Sequence, residues 1–236
     1  RRAQTRPMAA LHATAFAVLL LLAALLPAQA CAAEDIQRTN GAINTTAGAE
    51  YGRLTTTNGG IRLADGITAG PAATTNGSIN AGNDVTGERL ATVNGSIRVG
   101  ERARIAGDVQ TVNGSILVGR GGRVGGDVHT VNGAIGLVAT EVGGDIDISN
   151  GDLTIGVGSH VRGGVHVHKP GANWMPVRVS TRRQRVIIGP GAVVDGPLVF
   201  EREVVLYVHE TARIGAVTGA QPVPYATPTA PPRGGE

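Results

Sequence analysis

The chain is poor in aromatic residues, in cysteine and, beyond its first residues, in net charge. Phe, Trp and Tyr make up 3% of the 236 residues, so its core must be filled by Val, Ile and Leu rather than by large rings. A single cysteine, Cys31, excludes an internal disulfide framework. Arg1, Arg2 and Arg6 account for the whole formal charge of +3, because 18 basic and 18 acidic residues remain without them. Such a balance gives no reason to expect nucleic acid as a partner.

The first 32 residues have the layout of a secretory signal peptide. The apolar run 14–26 follows the three arginines, and Ala28-Gln29-Ala30 and Ala30-Cys31-Ala32 are both A-x-A cleavage sites. An uncleaved membrane anchor is the alternative, but the run is short for a span. We therefore predict a signal peptide over 1–32, no membrane span after its removal, and a periplasmic, cell-envelope or secreted protein. Lipidation at Cys31 is less favoured, because Ala28 stands where the usual bacterial pattern has Leu.

Glycine, in contrast, is abundant, and it recurs in a fixed pattern. The chain holds 36 glycines, and an Asn-Gly step recurs at intervals of 18, 18, 18, 19, 19 and 18 residues. The asparagines of these steps are Asn40, Asn58, Asn76, Asn94, Asn113, Asn132 and Asn150. A period this regular indicates a stacked repeat architecture.

Each repeat reads as three short strands and three corners. In the coil 94–112 the apolar positions fall in pairs two residues apart, and gaps of four separate the pairs. These positions are Ile97 and Val99, Ala103 and Ile105, then Val109 with Thr111 or Val112. The sequence therefore predicts an all-β fold, a single-stranded parallel β-solenoid (β-helix) of roughly nine or ten coils of 18–19 residues, over 33–219.

The repeated polar residues are predicted to serve the stack. Asn-Gly suits a corner because both residues tolerate positive φ, and stacked asparagines can form a hydrogen-bonded ladder. A ligand-binding row of asparagines is the less favoured alternative. The Gly-Asp steps at Asp108, Asp127 and Asp145 are predicted to cap backbone N–H groups rather than to bind calcium, whose β-helix repeat has a different spacing.

Two segments break the pattern. An irregular excursion is predicted at 168–186, which holds the only tryptophan, Trp174. Long excursions from a regular scaffold often carry function, but this one could equally cover a face or an edge of the stack. The tail 220–236 has five prolines after Gln221, so it is predicted to be disordered and unable to continue a strand ladder.

Two short motifs carry a family resemblance. The V-x-G-D-V step, as in 124–128, resembles the bactofilins, which are bacterial polymer-forming proteins with a β-helix core. The T-V-N-G-S-I step, as in 92–97, resembles the bacterial putative-adhesin β-solenoid family of exported proteins. The resemblance covers about 40–219 and implies right-handed winding. Bactofilins are cytoplasmic and polymerise end to end through apolar terminal coils, so the signal peptide is a departure from that family.

Two functional hypotheses follow. The favoured one is an exported, non-catalytic structural or adhesin-like scaffold of the bacterial cell envelope, without a cofactor, that acts through its surfaces or associates with itself through the coil ends. No nucleophile motif or phosphate-binding loop is present, so no catalytic residue is assigned.

The alternative is a metal-binding solenoid, or an enzyme like the hexapeptide-repeat carbonic anhydrases and acyltransferases. Aligning the G-D-V steps stacks His129, Asp147 and His166 in one outward column, with His168 two residues along. Imidazole and carboxylate groups at that spacing could hold zinc or another divalent ion.

Overall fold

A computed structural model describes residues 33–169 and 183–229, and every regular element within these ranges is a β-strand. The strands stack in parallel into a solenoid of about ten coils, which confirms the predicted fold class. The described residues form one compact unit. The predicted signal peptide with Cys31, and Trp174 of the excursion, lie outside the described residues. No helix among the described residues is long and apolar enough to cross a membrane.

Each full coil contributes one strand to each of three faces, and the strands are numbered β1–β28 in chain order. The Ile face is a ten-stranded sheet. It consists of β2 (Ile43–Asn44), β4 (Ile61–Leu63), β7 (Ile79–Ala81), β10 (Ile97–Val99), β13 (Ile116–Val118), β16 (Ile135–Leu137), β19 (Leu153–Ile155), β22 (Gln184–Ile188), β25 (Val204–His209) and β28 (Pro222–Tyr225).

The other two faces share a second, larger sheet. The Asn face consists of β1 (Glu34–Asn40), β3 (Glu50–Asn58), β6 (Ala72–Asn76), β9 (Leu90–Asn94), β12 (Val109–Asn113), β15 (Val128–Asn132), β18 (Ile146–Asn150), β21 (Val165–Val167), β24 (Leu198–Phe200) and β27 (Val217–Thr218). The short face consists of β5 (Thr68–Ala69), β8 (Thr86–Gly87), β11 (Arg104–Ile105), β14 (Arg123–Val124), β17 (Glu141–Val142), β20 (His160–Val161), β23 (Val193–Val194) and β26 (Arg213–Ile214).

The core consists of stacked aliphatic columns, one or two per face. Ile97 pairs in register with Ile79 below and Ile116 above, and all three are fully buried. Burying an isoleucine side chain stabilises the fold by about 1.5–3 kcal/mol. Because every coil presents the same side chain at the same height, a narrow interior is filled without aromatic rings.

Buried threonines on the Asn face are bonded to the neighbouring coil. Thr92 Oγ1 donates to the Gly77 carbonyl over 2.8 Å, and Thr111 Oγ1 donates to the Gly95 carbonyl over 2.9 Å. A buried hydroxyl needs such a partner, and the carbonyl at the Asn-Gly corner supplies it. The threonine of the repeat is therefore structural.

The glycine of the Asn-Gly step is needed for a different reason from the one predicted. Only Gly41 and Gly151 of this column have positive φ, so tolerance of positive φ does not explain the other glycines. A Cβ on Gly95 would instead lie 2.0 Å from the carbonyl oxygen of Gly77. Glycine is required because successive corners approach too closely for any side chain.

The structure also corrects the predictions made for the two irregular segments. Regular structure returns at Gln184 rather than after 186, since β22 pairs with β19 through Val186 and Leu153. The prediction that the tail adds no strand is wrong, because β28 pairs in parallel with β25. An edge strand tolerates proline wherever its N–H would point away from the sheet.

Candidate functional site

The predicted polar column exists on the outside of the Asn face. His129 pairs in register with Asp147, and Asp147 pairs with His166. The three side chains therefore lie in successive coils, about 4.8 Å apart.

His168 occupies the centre of a small cluster beside this column. Its Nε2 lies 2.9 Å from Asp147 Oδ1, and its Nδ1 lies 3.7 Å from Glu201 Oε2. The His166 and His168 rings stack with their centroids 6.1 Å apart and an interplanar angle of 11°. The structure thus brings Asp147, His166 and His168 together. His129 lies beside Asp147 only through the strand register.

This cluster links coils rather than converging on one point. Across 33–169 and 183–229, no group of three or more His, Cys, Asp or Glu side chains has an arrangement that could hold a metal ion. Asp147 and Glu201 instead flank the His168 imidazole from neighbouring coils. The metal site over His129, Asp147, His166 and His168 stays a hypothesis.

A second histidine–carboxylate pair was not predicted. His160 Nε2 lies 2.7 Å from Asp195 Oδ2 on the short face. The two residues are 35 apart in the chain because the excursion lies between them, so the repeat spacing conceals the contact. Their register could be found only by aligning His160 with Val193 across the excursion.

One ion pair joins two residues that have left-handed backbone at neighbouring corners. Arg102 donates to both carboxylate oxygens of Asp84, over 2.8 Å and 2.7 Å. Each residue has a φ of 55°. The hydrogen bonds from Arg102 lower the pKa of the Asp84 carboxyl group. The pair is exposed, so it contributes to local geometry more than to global stability.

The seven asparagines form one continuous ladder. In six bonds of 2.9–3.0 Å, the Nδ2 of each asparagine from Asn58 onward donates to the Oδ1 of the asparagine in the preceding coil, from Asn58 to Asn40 at one end and from Asn150 to Asn132 at the other. This confirms the ladder interpretation. Because the amides are engaged with one another, the column is not a free row of ligand-binding groups.

The aspartates of the Gly-Asp steps also bond between coils. Asp108 Oδ1 accepts from the backbone N–H of Asp127, Asp127 accepts from Asp145, and Asp145 accepts from Gly164. The predicted capping is confirmed, although the capped groups belong to the next coil.

The last described strand of the Ile face, β28, has proline at two positions where the repeat places an outward donor. The first inward residue of an Ile-face strand donates its N–H to the following coil, as Ile97 does to the Ser115 carbonyl over 2.9 Å. Pro222 holds this position in β28, opposite Leu206, and Pro224 follows two residues later. Since proline has no N–H, β28 offers a further strand no donor at either position.

Tyr225 anchors that last strand. Its side chain is 7% exposed, its hydroxyl donates to the Ile188 carbonyl over 3.2 Å, and its ring meets His209 edge-on at 5.0 Å. Burial raises the pKa of the Tyr225 phenol. The C-terminal end is therefore closed by a strand that is fixed through its side chain.

The N-terminal end is open by comparison. Strand β1 pairs with β3, and Ile36 is its only residue that is not exposed. Leu54, which is opposite Ile36, donates its N–H to the following coil. By alternation, the backbone groups of Gln37 and Thr39 point away from the stack. Within the described part of the chain no strand pairs with this outer edge.

Two surface depressions accompany these features. One, of about 670 Å³, lies at the C-terminal end and is lined by Arg183, Glu203, Val204, Val217, Thr218, Gly219, Ala220 and Gln221. The other, of about 390 Å³, lies on the Asn face between Arg53 and Arg89. No histidine lines either one, so neither coincides with the polar column.

No family model, no curated protein and no solved structure matches the chain.

Proposed function

We propose that the protein is an exported, non-catalytic structural or adhesin-like scaffold of the bacterial cell envelope that acts through its surfaces and its open N-terminal end. One observation carries the proposal, which is that the repeated polar side chains bond to neighbouring coils. Asn94 bonds to Asn76 and Asn113, and Thr92 bonds to Gly77. The repeated Asn, Thr and Asp side chains thus serve the stack, which supports a role for its long, regular surface.

The two ends support a role in association. An unpaired strand edge attracts other strands, and β1 offers one over seven residues. The closed end at Pro222 and Pro224 limits this association to one side. The adhesin-like part of the proposal rests on the T-V-N-G-S-I resemblance alone.

Export is tested by following the chain in a bacterial host. We expect the intact mass of the recovered protein to correspond to a chain that begins at Cys31 or Ala33, after cleavage at one of the two A-x-A sites, and we expect it in the periplasmic, envelope or culture fraction. A variant with Leu19→Arg and Leu21→Arg interrupts the apolar run and should leave the full-length chain in the cytoplasm. Full-length wild-type chain in the cytoplasm would contradict the proposal.

A metal-binding solenoid is the second candidate; the side chains of His168, Asp147 and Glu201 adjoin one another but would have to converge further to hold an ion. Elemental analysis of protein equilibrated with zinc and then desalted distinguishes the two. Stoichiometric zinc that is lost in His168→Ala but retained in His209→Ala would favour this candidate. Zinc below one ion per ten chains would favour the scaffold.

A further inference from the structure

We propose that two processed chains join N-terminal end to N-terminal end, through antiparallel pairing of their β1 strands, and that the resulting dimer is closed to further growth. The inference deepens the proposed function and rests on the removal of residues 1–32. The partner is a second copy of this chain.

The difference between the two ends excludes head-to-tail growth. A head-to-tail contact would require a C-terminal end that continues the ladder into the β1 edge of the next chain. On the Ile face that end has prolines at 222 and 224, where the donors should be. On the Asn face it has only the two residues of β27. The open edge of β1 therefore has one suitable complement, which is another open β1 edge.

A two-fold axis makes the β1 strands antiparallel, and the backbone fixes where the axis passes. Gln37 directs both its N–H and its C=O away from the stack. Two Gln37 residues placed opposite each other can exchange both hydrogen bonds, as in a hydrogen-bonded antiparallel pair. Thr39 of each chain then lies opposite Asp35 of the other.

The charges of β1 favour the same arrangement. Glu34 and Asp35 lie at the start of the strand and Arg38 lies near its end. Antiparallel pairing centred on Gln37 places Arg38 diagonally across from Glu34 of the second copy, whereas parallel pairing would oppose like charges. Arg38 already holds the end of the stack, where Nη1 donates to the Ala42 carbonyl over 2.8 Å.

A disulfide across the axis tests the geometry. The chain that begins at Ala33 has no cysteine of its own, so Gln37→Cys introduces the only one. Opposed residues of a hydrogen-bonded antiparallel pair have Cα atoms about 5.5 Å apart, which suits a disulfide. We expect Gln37→Cys to form a covalent dimer on mild oxidation. Val223→Cys, on the strand at the opposite end, is the matched control and should stay monomeric on a non-reducing gel.

Light scattering on the chain from Ala33 tests the closed state. A dimer mass that does not increase with concentration is expected, and electron microscopy should show no filaments. Gln37→Pro removes the N–H that strand alternation directs away from the stack, so it should weaken the dimer at least about tenfold with little change in thermal stability. Gln37→Ala should retain the dimer.

A strict monomer at about 100 µM, filaments, or equal cross-linking at Val223 would overturn the inference. The mass of the exported protein keeps this test separate from that of the proposed function. If the leader is retained in cells while the chain from Ala33 still dimerises, export fails and the interface stands.

Discussion

Arg202 ends the asparagine ladder, with Nη1 donating to Asn150 Oδ1 over 2.7 Å. The same nitrogen donates to the Ser149 carbonyl over 2.9 Å. Every amide of the ladder donates towards the N-terminal end, so Asn150 Oδ1 is the last acceptor of an aligned series of dipoles. A guanidinium group is a suitable partner for that acceptor, because charge-assisted hydrogen bonds are stronger than neutral ones.

Removing this cap should destabilise the solenoid measurably. We expect Arg202→Met to lower the free energy of unfolding by about 1–2 kcal/mol, because two carbonyl acceptors lose a charged donor at a partly buried site. Chemical denaturation measures the change. Arg98→Met, on the exposed surface of the Ile face, is the matched control and should change stability by less than about 0.5 kcal/mol. Equal effects would show that Arg202 contributes no more than any surface arginine.

Within the ladder, the donor half of each amide should matter more than its size. Asn94 donates to Asn76 and accepts from Asn113, both over 2.9 Å. Asn94→Asp keeps the acceptor but turns the other contact into two opposed oxygens. We therefore expect Asn94→Asp to destabilise by about 1 kcal/mol more than Asn94→Ala at neutral pH, as measured by thermal unfolding. The reverse order would mean that the ladder bonds contribute little.

The glycine columns differ in how much a methyl group should cost. A Cβ at Gly95 collides with the Gly77 carbonyl, whereas at Gly158 the space is open and only the φ of 64° opposes a side chain. We expect Gly95→Ala to cost more than about 3 kcal/mol, because the coils must separate, and Gly158→Ala to cost about 1–2 kcal/mol. Denaturant titration of both variants gives the comparison, and a similar cost at the two sites would contradict the collision argument.

Contacts within the repeat could be predicted from spacing, because stacking places residues that are one repeat apart next to each other in space. Ile97, Asn94 and Asp108 each have their partner 18 or 19 residues away, and each was placed correctly. The alignment of His129 with Asp147 follows the same rule. The repeat period alone therefore predicts the register between neighbouring coils.

Contacts across the excursion could not be predicted in this way. Asp195 and Arg202 reach His160 and Asn150 over separations of 35 and 52 residues, which no repeat interval suggests. The strand at 222–225 was missed for another reason. Proline is compatible with an edge strand, because only alternate residues of such a strand need an inward N–H.

Strand β28, which closes the C-terminal end, should contribute less to stability in alkaline solution. Burial raises the pKa of Tyr225 above its usual value of 10.0, so the folded chain holds the phenol proton more tightly than the unfolded chain does. The stabilisation is complete below pH 10.0 and decreases as the pH rises towards the folded pKa, because the unfolded state then loses its proton first. Unfolding free energies at neutral pH and at about pH 11 measure this loss.

Tyr225→Phe should cost about 1 kcal/mol at neutral pH through the lost bond to Ile188, and its stability should decrease less with alkali. Tyr207→Phe, on the neighbouring strand, should keep the wild-type alkaline decrease. If Tyr225→Phe retains the full decrease, ionisation of this phenol is not its source.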